Sequence, residues 1–547
     1  MSQVKILPKT PSAFDFPLLV KSILAQSLKY EPEREIVYRD LTRFNYIELN
    51  KRICRLANAL STIGIEQGNT VAVIDYDSNR YLECFFSVPM IGAVLHTINY
   101  RLSPEQVLYT INHAEDEVIL VHRDFLPLLE GIADKITTVK KYIVLTDDGT
   151  IPSSSLEIFG EYEQLLSIAS DAYAFPDFDE NAVATTFYTT GTTGNPKGVY
   201  FSHRQLVLHT LGSAAAFGAY DSTCRFRSND VYMPITPMFH VHAWGVPYLA
   251  TMLGVKQIYP GRYEPEMLLK LLLKEKVTFS HCVPTILQML VSSPIVQSID
   301  LSNWKVVIGG AALPSSLAKA ALDLGIDVIT GYGMSETCPI LSVTYLNTAT
   351  DYSIDEQVAI RTKAGVPIPL VEMIIVDEMG KALPQNGNTV GEIVVRTPWL
   401  TQGYLREPEK AETLWEGGYL HTGDVGSMDE RNVLKISDRI KDVIKTGGEW
   451  ISSLELENLI GKFEPVAEVA VVGIPDAKWT ERPHALVVLK TDRTTTTAAV
   501  QDYLQQYVEN GTISKWTIPQ SIDFVATIPK TSVGKIDKKK IRADYQS

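Results

Sequence analysis

Between residues 70 and 335, short apolar, β-branched runs alternate with longer stretches of helical period. "TVAVIDY" (70–76), "EVILVH" (117–122), "TTFYTT" (185–190), "VTFSHCV" (277–283), "WKVVIGG" (304–310) and "DVITGYG" (327–333) read as buried strands. "EPEMLLKLLLKEK" and "PSSLAKAALDLG" lie between them and read as helices. This strand–helix alternation predicts mostly parallel sheets covered by helices on both faces. After residue 365 the pattern shortens. "VEMIIVDEMG", "GEIVVRT" and "NVLKISDR" are brief strands separated by Gly, Asn and Pro turns, which predicts a small β-rich, barrel-like unit. A charged stretch, "SDRIKDVIKTGGEW" (437–450), opens the last segment. There the strands "VAEVAVVGIPD" and "HALVVLK" accompany a helix-like "TAAVQDYLQQYVEN", a pattern for a small α+β unit, and "DRTTTTAA" reads as a loop.

Composition narrows the function classes. The chain has 547 residues, 45% hydrophobic and 21% charged, which is ample for several packed domains. A net charge of −14 makes the chain a poor candidate for sequence-independent binding to nucleic acid or anionic lipid. Five scattered cysteines (54, 84, 224, 282 and 338) form no CxxC pair, which fits a reducing compartment and opposes a disulfide framework or a structural zinc. No signal-peptide pattern opens the chain, no apolar run approaches the roughly 20 residues of a membrane span, and "ADYQS" is neither a peroxisomal nor an ER signal. The expectation is a soluble, cytoplasmic protein.

The stretch "YTTGTTGNPKGVYFSH" (188–203) sets hydroxyls and glycines around Lys197. Main-chain N–H groups in such a turn can converge on an anion. The spacing is not that of a P-loop, because Pro196 precedes the lysine and Gly198 follows it. Taken alone the loop reads more readily as a plain solvent turn than as a phosphate cradle. Other motifs follow it in order: "MFHVHAW" (238–244), "GYGMSET" (331–337), "YLHTGD" (419–424), "DRIKDVIKTGGEW" (438–450) and "PKTSVGKI" (529–536). His240 and His242 would face the same way on a strand, but no further ligand is near in sequence, so the pair does not read as a metal site.

This ordered set resembles the acyl-adenylate-forming superfamily, which includes acyl-CoA synthetases, luciferases and peptide-synthetase adenylation domains. "HTINYRLSPEQ", "INHAED" and "GGEWISSLELEN" are most similar to bacterial medium- and long-chain fatty acyl-CoA synthetases. The resemblance implies an α/β N-terminal domain (1–438), a hinge at 439–441 centred on Lys441, and a mobile α+β C-terminal domain (442–547). It implies ATP, Mg²⁺ and CoA acting on a carboxylic acid, and a homodimer through the N-terminal part.

By the same resemblance, Thr189, Thr190, Gly191, Thr192, Thr193 and Lys197 hold the β- and γ-phosphates, and Glu336, with Thr189 and Ser335 close by, serves Mg²⁺. Nucleoside recognition falls to Gly310 and Ala311 in "GGAAL", to Thr330, Gly331 and Gly333, and to Tyr332, whose ring is placed to stack on adenine. Asp424 takes the ribose hydroxyls. Lys535 bridges the carboxylate and the α-phosphate as charge builds, a role that calls for a cation rather than a base. Arg439, Lys441 and Lys445 are cations near the nucleotide in one or other pose. His240, Val241, Trp244 and Gly310 line the acyl site, with the Trp244 indole as a gate. Lys445, Gly447, Gly448 and Trp450 border the CoA path. The expected reaction is acid plus ATP to acyl-AMP and pyrophosphate, then acyl-CoA and AMP. Other readings are a ligase for short, branched, alicyclic, aromatic or sulfur-containing acids, a carrier-loading enzyme, a luciferase-like oxygenase, and a nucleotide sensor without ligase activity.

Overall fold

The computed structural model describes residues 4–189, 195–446, 449–476, 478–531 and 534–545, and only the main chain of Gln297, Glu449 and Trp450. Among these residues four sheets organise the chain. A seven-stranded sheet is parallel from Ile158–Glu161 through Lys141–Leu145, Asp116–His122, Thr70–Ile74 and Val94–Thr97 to Val183–Tyr188. It ends in an antiparallel hairpin with Gly198–Ser202, in register Tyr188 to Gly198. A nine-stranded sheet has a parallel centre made of Asp327–Gly333, Lys305–Ile308, Phe279–Cys282, Val231–Pro234, Lys256–Tyr259 and Glu35–Tyr38. Each strand expected between 70 and 335 is present: Asp327–Gly333 matches its run, Thr70–Ile74, Phe279–Cys282 and Lys305–Ile308 are shorter by one or two residues at an end, and Asp116–His122 and Val183–Tyr188 begin one and two residues earlier.

The helix Asn79–Met90 joins the two large sheets. Ser78 caps it by accepting from the Tyr81 amide, and all twelve residues are buried. It touches strands of both sheets, which is why all its residues, the polar ones included, are enclosed. Its two charged residues are paired: Arg80 with Asp147 at 2.9 Å and Glu83 with Arg52 at 2.7 Å. Burying Phe85 and Phe86 in this layer stabilises the junction by about 2–3 kcal/mol each.

The expected barrel-like unit is an open four-stranded antiparallel sheet of Glu372–Val376, Gly391–Arg396, Leu420–Met428 and Leu434–Arg439. Its end strands do not pair with each other, so no barrel closes. The main chain leaves this sheet at Arg439 and enters a five-stranded sheet at Ile444. Between them the Ile440 amide donates to the Gly423 oxygen, and the Val443 amide to the Arg439 oxygen, each at 2.9 Å. The five-stranded sheet combines Ile444–Thr446, Glu449–Ile451, Val466–Asp476, Thr480–Leu489 and Ser521–Phe524. "DRTTTTAA" is a loop only in its first part. Thr496 caps the helix Thr497–Glu509 by accepting from the Ala499 amide.

Candidate active site

Several expected site residues lie just past the carboxyl ends of strands, the usual place for a ligand in an open α/β sheet: Thr189 after Val183–Tyr188, Gly310 after Lys305–Ile308 and Glu336 after Asp327–Gly333. The hairpin of Val183–Tyr188 and Gly198–Ser202 carries the Thr/Gly loop, and the Thr189 amide closes its base by donating to the Lys197 oxygen at 2.9 Å. Thr190, Gly191, Thr192 and Thr193 lie outside the described residues. The Lys197 ammonium lies 4.4 Å from the centre of the Tyr404 ring.

Glu336 sits on a short 3₁₀ turn, Ser335–Thr337, that follows the strand ending at Gly333, and it is buried. Its Oε1 accepts from the Tyr404 hydroxyl at 2.8 Å, and its main-chain oxygen accepts from the Thr401 amide at 3.0 Å. Tyr404 was not among the residues expected from sequence. The signal was a Gly-Tyr pair inside the apolar, non-periodic "WLTQGYL", which reads as packing.

Tyr332 and Asp424 form the next part. The Tyr332 hydroxyl donates to Asp424 Oδ2 at 2.8 Å, while Arg439 Nε lies 3.3 Å from Oδ1. Asp424 and Arg439 are direct neighbours across two antiparallel strands, so this pairing is fixed by register. Burial raises the Asp424 carboxyl above its ordinary value, and Arg439 works against that rise. Burial, helped by Arg439, lowers the Lys441 ammonium. Thr330 points elsewhere: its hydroxyl donates to the Arg361 main-chain oxygen at 2.8 Å. Gly310 and Ser335 are partly exposed, and Ala311 is exposed.

Lys535 arrives from the far end of the chain. Thr531 and Lys535 close its turn, and the Thr285 hydroxyl donates to the Gly534 oxygen at 3.2 Å, docking the turn on the start of the helix Pro284–Val291. The Lys535 Cε would be 3.1 Å from a Cβ on Gly310, and its Nζ 3.6 Å. Only glycine leaves that room, and Gly310 has a φ of +75°. Burial lowers the ammonium to about 8; Arg439 adds to the fall, and Asp424 and Glu336 oppose it.

"MFHVHAW" does not form a strand. Val241, His242, Ala243 and Trp244 have φ of 47°, 54°, 48° and 60°, a left-handed turn ending in Gly245. Left-handed geometry disfavours L-residues by about 1–2 kcal/mol each. The turn separates the two histidines. Burial, with Lys535 adding to it, holds the His240 imidazole down to about 3, so at neutral pH it is uncharged. His242 is buried elsewhere and bonds the Thr185 hydroxyl through Nε2 at 2.7 Å. The Trp244 ring lies 5.0 Å from that of His281 at a tilt of 32°, and its indole edge would stand 3.0 Å from a Cβ on Gly309. Val241 is buried beside it.

Among the CoA-path residues, Gly447 and Gly448 lie outside the described residues, and for Trp450 only the main chain is described, opposite Lys445 across a hairpin. The Lys445 amide donates to Glu481 at 2.9 Å. Beneath this hairpin a polar network crosses between the two small sheets. Asp438 accepts from the Ser453 amide and hydroxyl, both at 2.6 Å, and Lys538 reaches Ser453 at 2.6 Å and Glu457 at 2.7 Å.

The chain belongs to the AMP-binding enzyme family, whose model matches residues 24–405, with the AMP-binding enzyme C-terminal domain matching 455–535. It is 38% identical to a long-chain-fatty-acid–CoA ligase of Thermus thermophilus, covering 94% of this chain and 93% of that one. It is 35% identical to a 3-methylmercaptopropionyl-CoA ligase of Ruegeria pomeroyi, covering 97% and 98% respectively. A medium-chain-fatty-acid–CoA ligase of Ectopseudomonas oleovorans is also 35% identical, covering 96% of each. Among solved structures, ATP-bound MatB from Rhodopseudomonas palustris superposes with a TM-score of 0.82 at 26% identity, covering 96% of this chain and 99% of that one. The anthranilate CoA ligase AuaEII in complex with anthranoyl-AMP shares the fold, with a TM-score of 0.85 at 22% identity over 97% and 98% of the two chains.

Proposed function

We propose that the protein is an ATP-dependent acid–CoA ligase that activates a medium- or long-chain fatty acid as acyl-AMP and passes the acyl group to CoA. One observation carries the reading: the Lys535 ammonium, from the last helix-flanking turn, is seated over Gly310 within the field of Asp424 and Glu336. Carboxylate attack on the α-phosphate brings two anions together, and an ammonium held there stabilises the charge that builds as pyrophosphate leaves. His240 is uncharged at neutral pH and so positions the acid by hydrogen bonding, leaving Lys535 as the cation. Asp424 holds the ribose, and Tyr332, tethered to it, offers a flat face to adenine. Thr189 to Thr193 and Lys197 hold the outer phosphates.

Glu336 fits Mg²⁺. Its Oε1 is held by Tyr404, and among the described residues Oε2 has no protein partner, which suits an ion bound by one carboxylate and substrate phosphates. Bound there, the ion would neutralise phosphate charge.

The division at 438, the hinge at 439–441 and the mobile unit 442–547 belong to the same proposal. Support comes from the crossing between sheets at 440–443. Swinging the unit would withdraw Lys535 and bring Lys445, Gly447, Gly448 and Trp450 to the cleft for CoA. Five buried, unpaired thiols support a reducing, cytoplasmic setting, and the exposed Phe14 and Phe16 on the N-terminal arm support a homodimer. Among the described residues no helix is long and apolar enough to cross a membrane. Equal identity to a methylmercaptopropionate ligase and to a medium-chain ligase favours a short sulfur-containing acid as the second reading.

The test is a panel of acids from C2 to C18, with sulfur-containing, cyclic and aromatic members, assayed for AMP and pyrophosphate release. Pyrophosphate formation that needs both acid and ATP separates a ligase from a nucleotide sensor. AMP turnover that needs CoA separates it from a carrier-loading enzyme. Conversion of ATP to ADP overturns the reading.

A further inference from the structure

We propose that Tyr404 is a positioning residue that keeps the Lys197 ammonium and the Glu336 carboxylate apart so that both act on MgATP, an inference that rests on the nucleotide reading above. Its ring face meets Lys197, with 4.4 Å from Nζ to the ring centre, and its hydroxyl donates to Glu336 Oε1 at 2.8 Å. One side chain therefore satisfies a cation with its π face and an anion with its O–H. Among the described residues no ion pair joins the half-buried Lys197 to the buried Glu336, although both touch the same tyrosine.

Tyr404 is well anchored for this task. The Leu405 amide donates to the Gly198 oxygen at 2.8 Å, and Tyr404 bridges Val199, which ties it to the strand that follows Lys197. On the other side the Thr401 amide bonds the Glu336 oxygen at 3.0 Å, and the Thr401 hydroxyl bonds the Tyr200 oxygen at 3.0 Å. The segment 401–405 thus spans the hairpin that carries the cation and the turn that carries the carboxylate. Remove the ring, and the two opposite charges, one buried and one half-buried, are free to collapse into a direct pair. A collapsed pair offers phosphate no net positive charge and offers a metal no open carboxylate oxygen.

The test measures MgATP binding calorimetrically, beside acid-dependent pyrophosphate exchange and Mg²⁺ titration. Tyr404→Phe keeps the ring and removes the donor to a charged acceptor, so MgATP affinity should fall about tenfold and half-saturating Mg²⁺ should rise. Tyr404→Leu removes both contacts, and the affinity should fall about a hundredfold. In a double-mutant cycle with Lys197→Met, the losses should be strongly non-additive. Circular dichroism and thermal melts establish that each variant is folded; if the leucine variant is not, the phenylalanine variant and its Mg²⁺ dependence decide. Folded variants with wild-type MgATP affinity and Mg²⁺ dependence overturn the inference, as does an additive cycle. Wild-type protein that binds MgATP yet exchanges no pyrophosphate with any acid overturns the ligase reading alone. Protein that binds no MgATP overturns both.

Discussion

Lys535 offers a test in which activity and stability respond to pH in opposite directions. Burial lowers its ammonium from 10.5 to about 8, a differential penalty on the charged form of at most about 3 kcal/mol. The penalty applies in full below pH 8 and fades as pH rises toward 10.5, because the unfolded chain still holds that proton while the folded one has released it. Lys535→Met should therefore be more stable than wild type at pH 7, and the difference should shrink by pH 10. Activity runs the other way, since only the ammonium can stabilise the transferring charge. In pyrophosphate exchange, kcat/KM should fall as pH rises through about 8. The profile of kcat should break later, because bound phosphates favour the charged lysine. Lys535→Arg stays cationic and should lose the break near 8 while keeping a residual rate. Lys535→Ala should lower exchange by about 10²–10³-fold yet largely spare thioester formation from supplied acyl-adenylate. A flat kcat/KM profile between pH 7 and 10, or equal losses in both half-reactions, would refute the assignment.

Gly310→Ala places a methyl 3.1 Å from Lys535 Cε and 3.3 Å from Val283 at a φ of +75°. Exchange should fall at least tenfold, and the denaturant midpoint should register a loss of about 1–2 kcal/mol. Asp424→Asn removes one of the two carboxylates that support the Lys535 charge, so KM for MgATP should rise and the kcat/KM break should move below 8. Gly447→Leu should slow the reaction of supplied acyl-adenylate with CoA and leave exchange little changed, provided the protein folds.

Much of this architecture is legible in the chain because buried parallel strands are written as continuous apolar runs. The strand 327–333 coincides with its motif to the residue. Sheet membership is not written locally. Glu35–Tyr38 lies beside Lys256–Tyr259, a partnership that no nearby residue announces. The open four-stranded sheet was misread as barrel-like because turn spacing says nothing about whether end strands meet. His240 and His242 were placed on a strand because alternation is the default for "FHVHAW", and the left-handed turn that separates them is imposed by packing around Trp244 and Gly309. Tyr404 escaped notice because its significance lies in what it touches, Lys197 and Glu336, both remote in sequence.

The backbone from Val241 to Trp244 also bears on how this enzyme can be improved. Val241 is a β-branched residue held at a φ of 47°, where glycine or asparagine would rest more easily. Val241→Gly would relieve about 1–2 kcal/mol of that strain but forfeit a buried core side chain, a larger loss, so a heat-tolerance screen should discard it even though a slack backbone would also free the neighbouring indole. Robustness and selectivity are then guarded by the same residue, and a library scored on survival alone would keep the strained turn together with the side chain that enforces it.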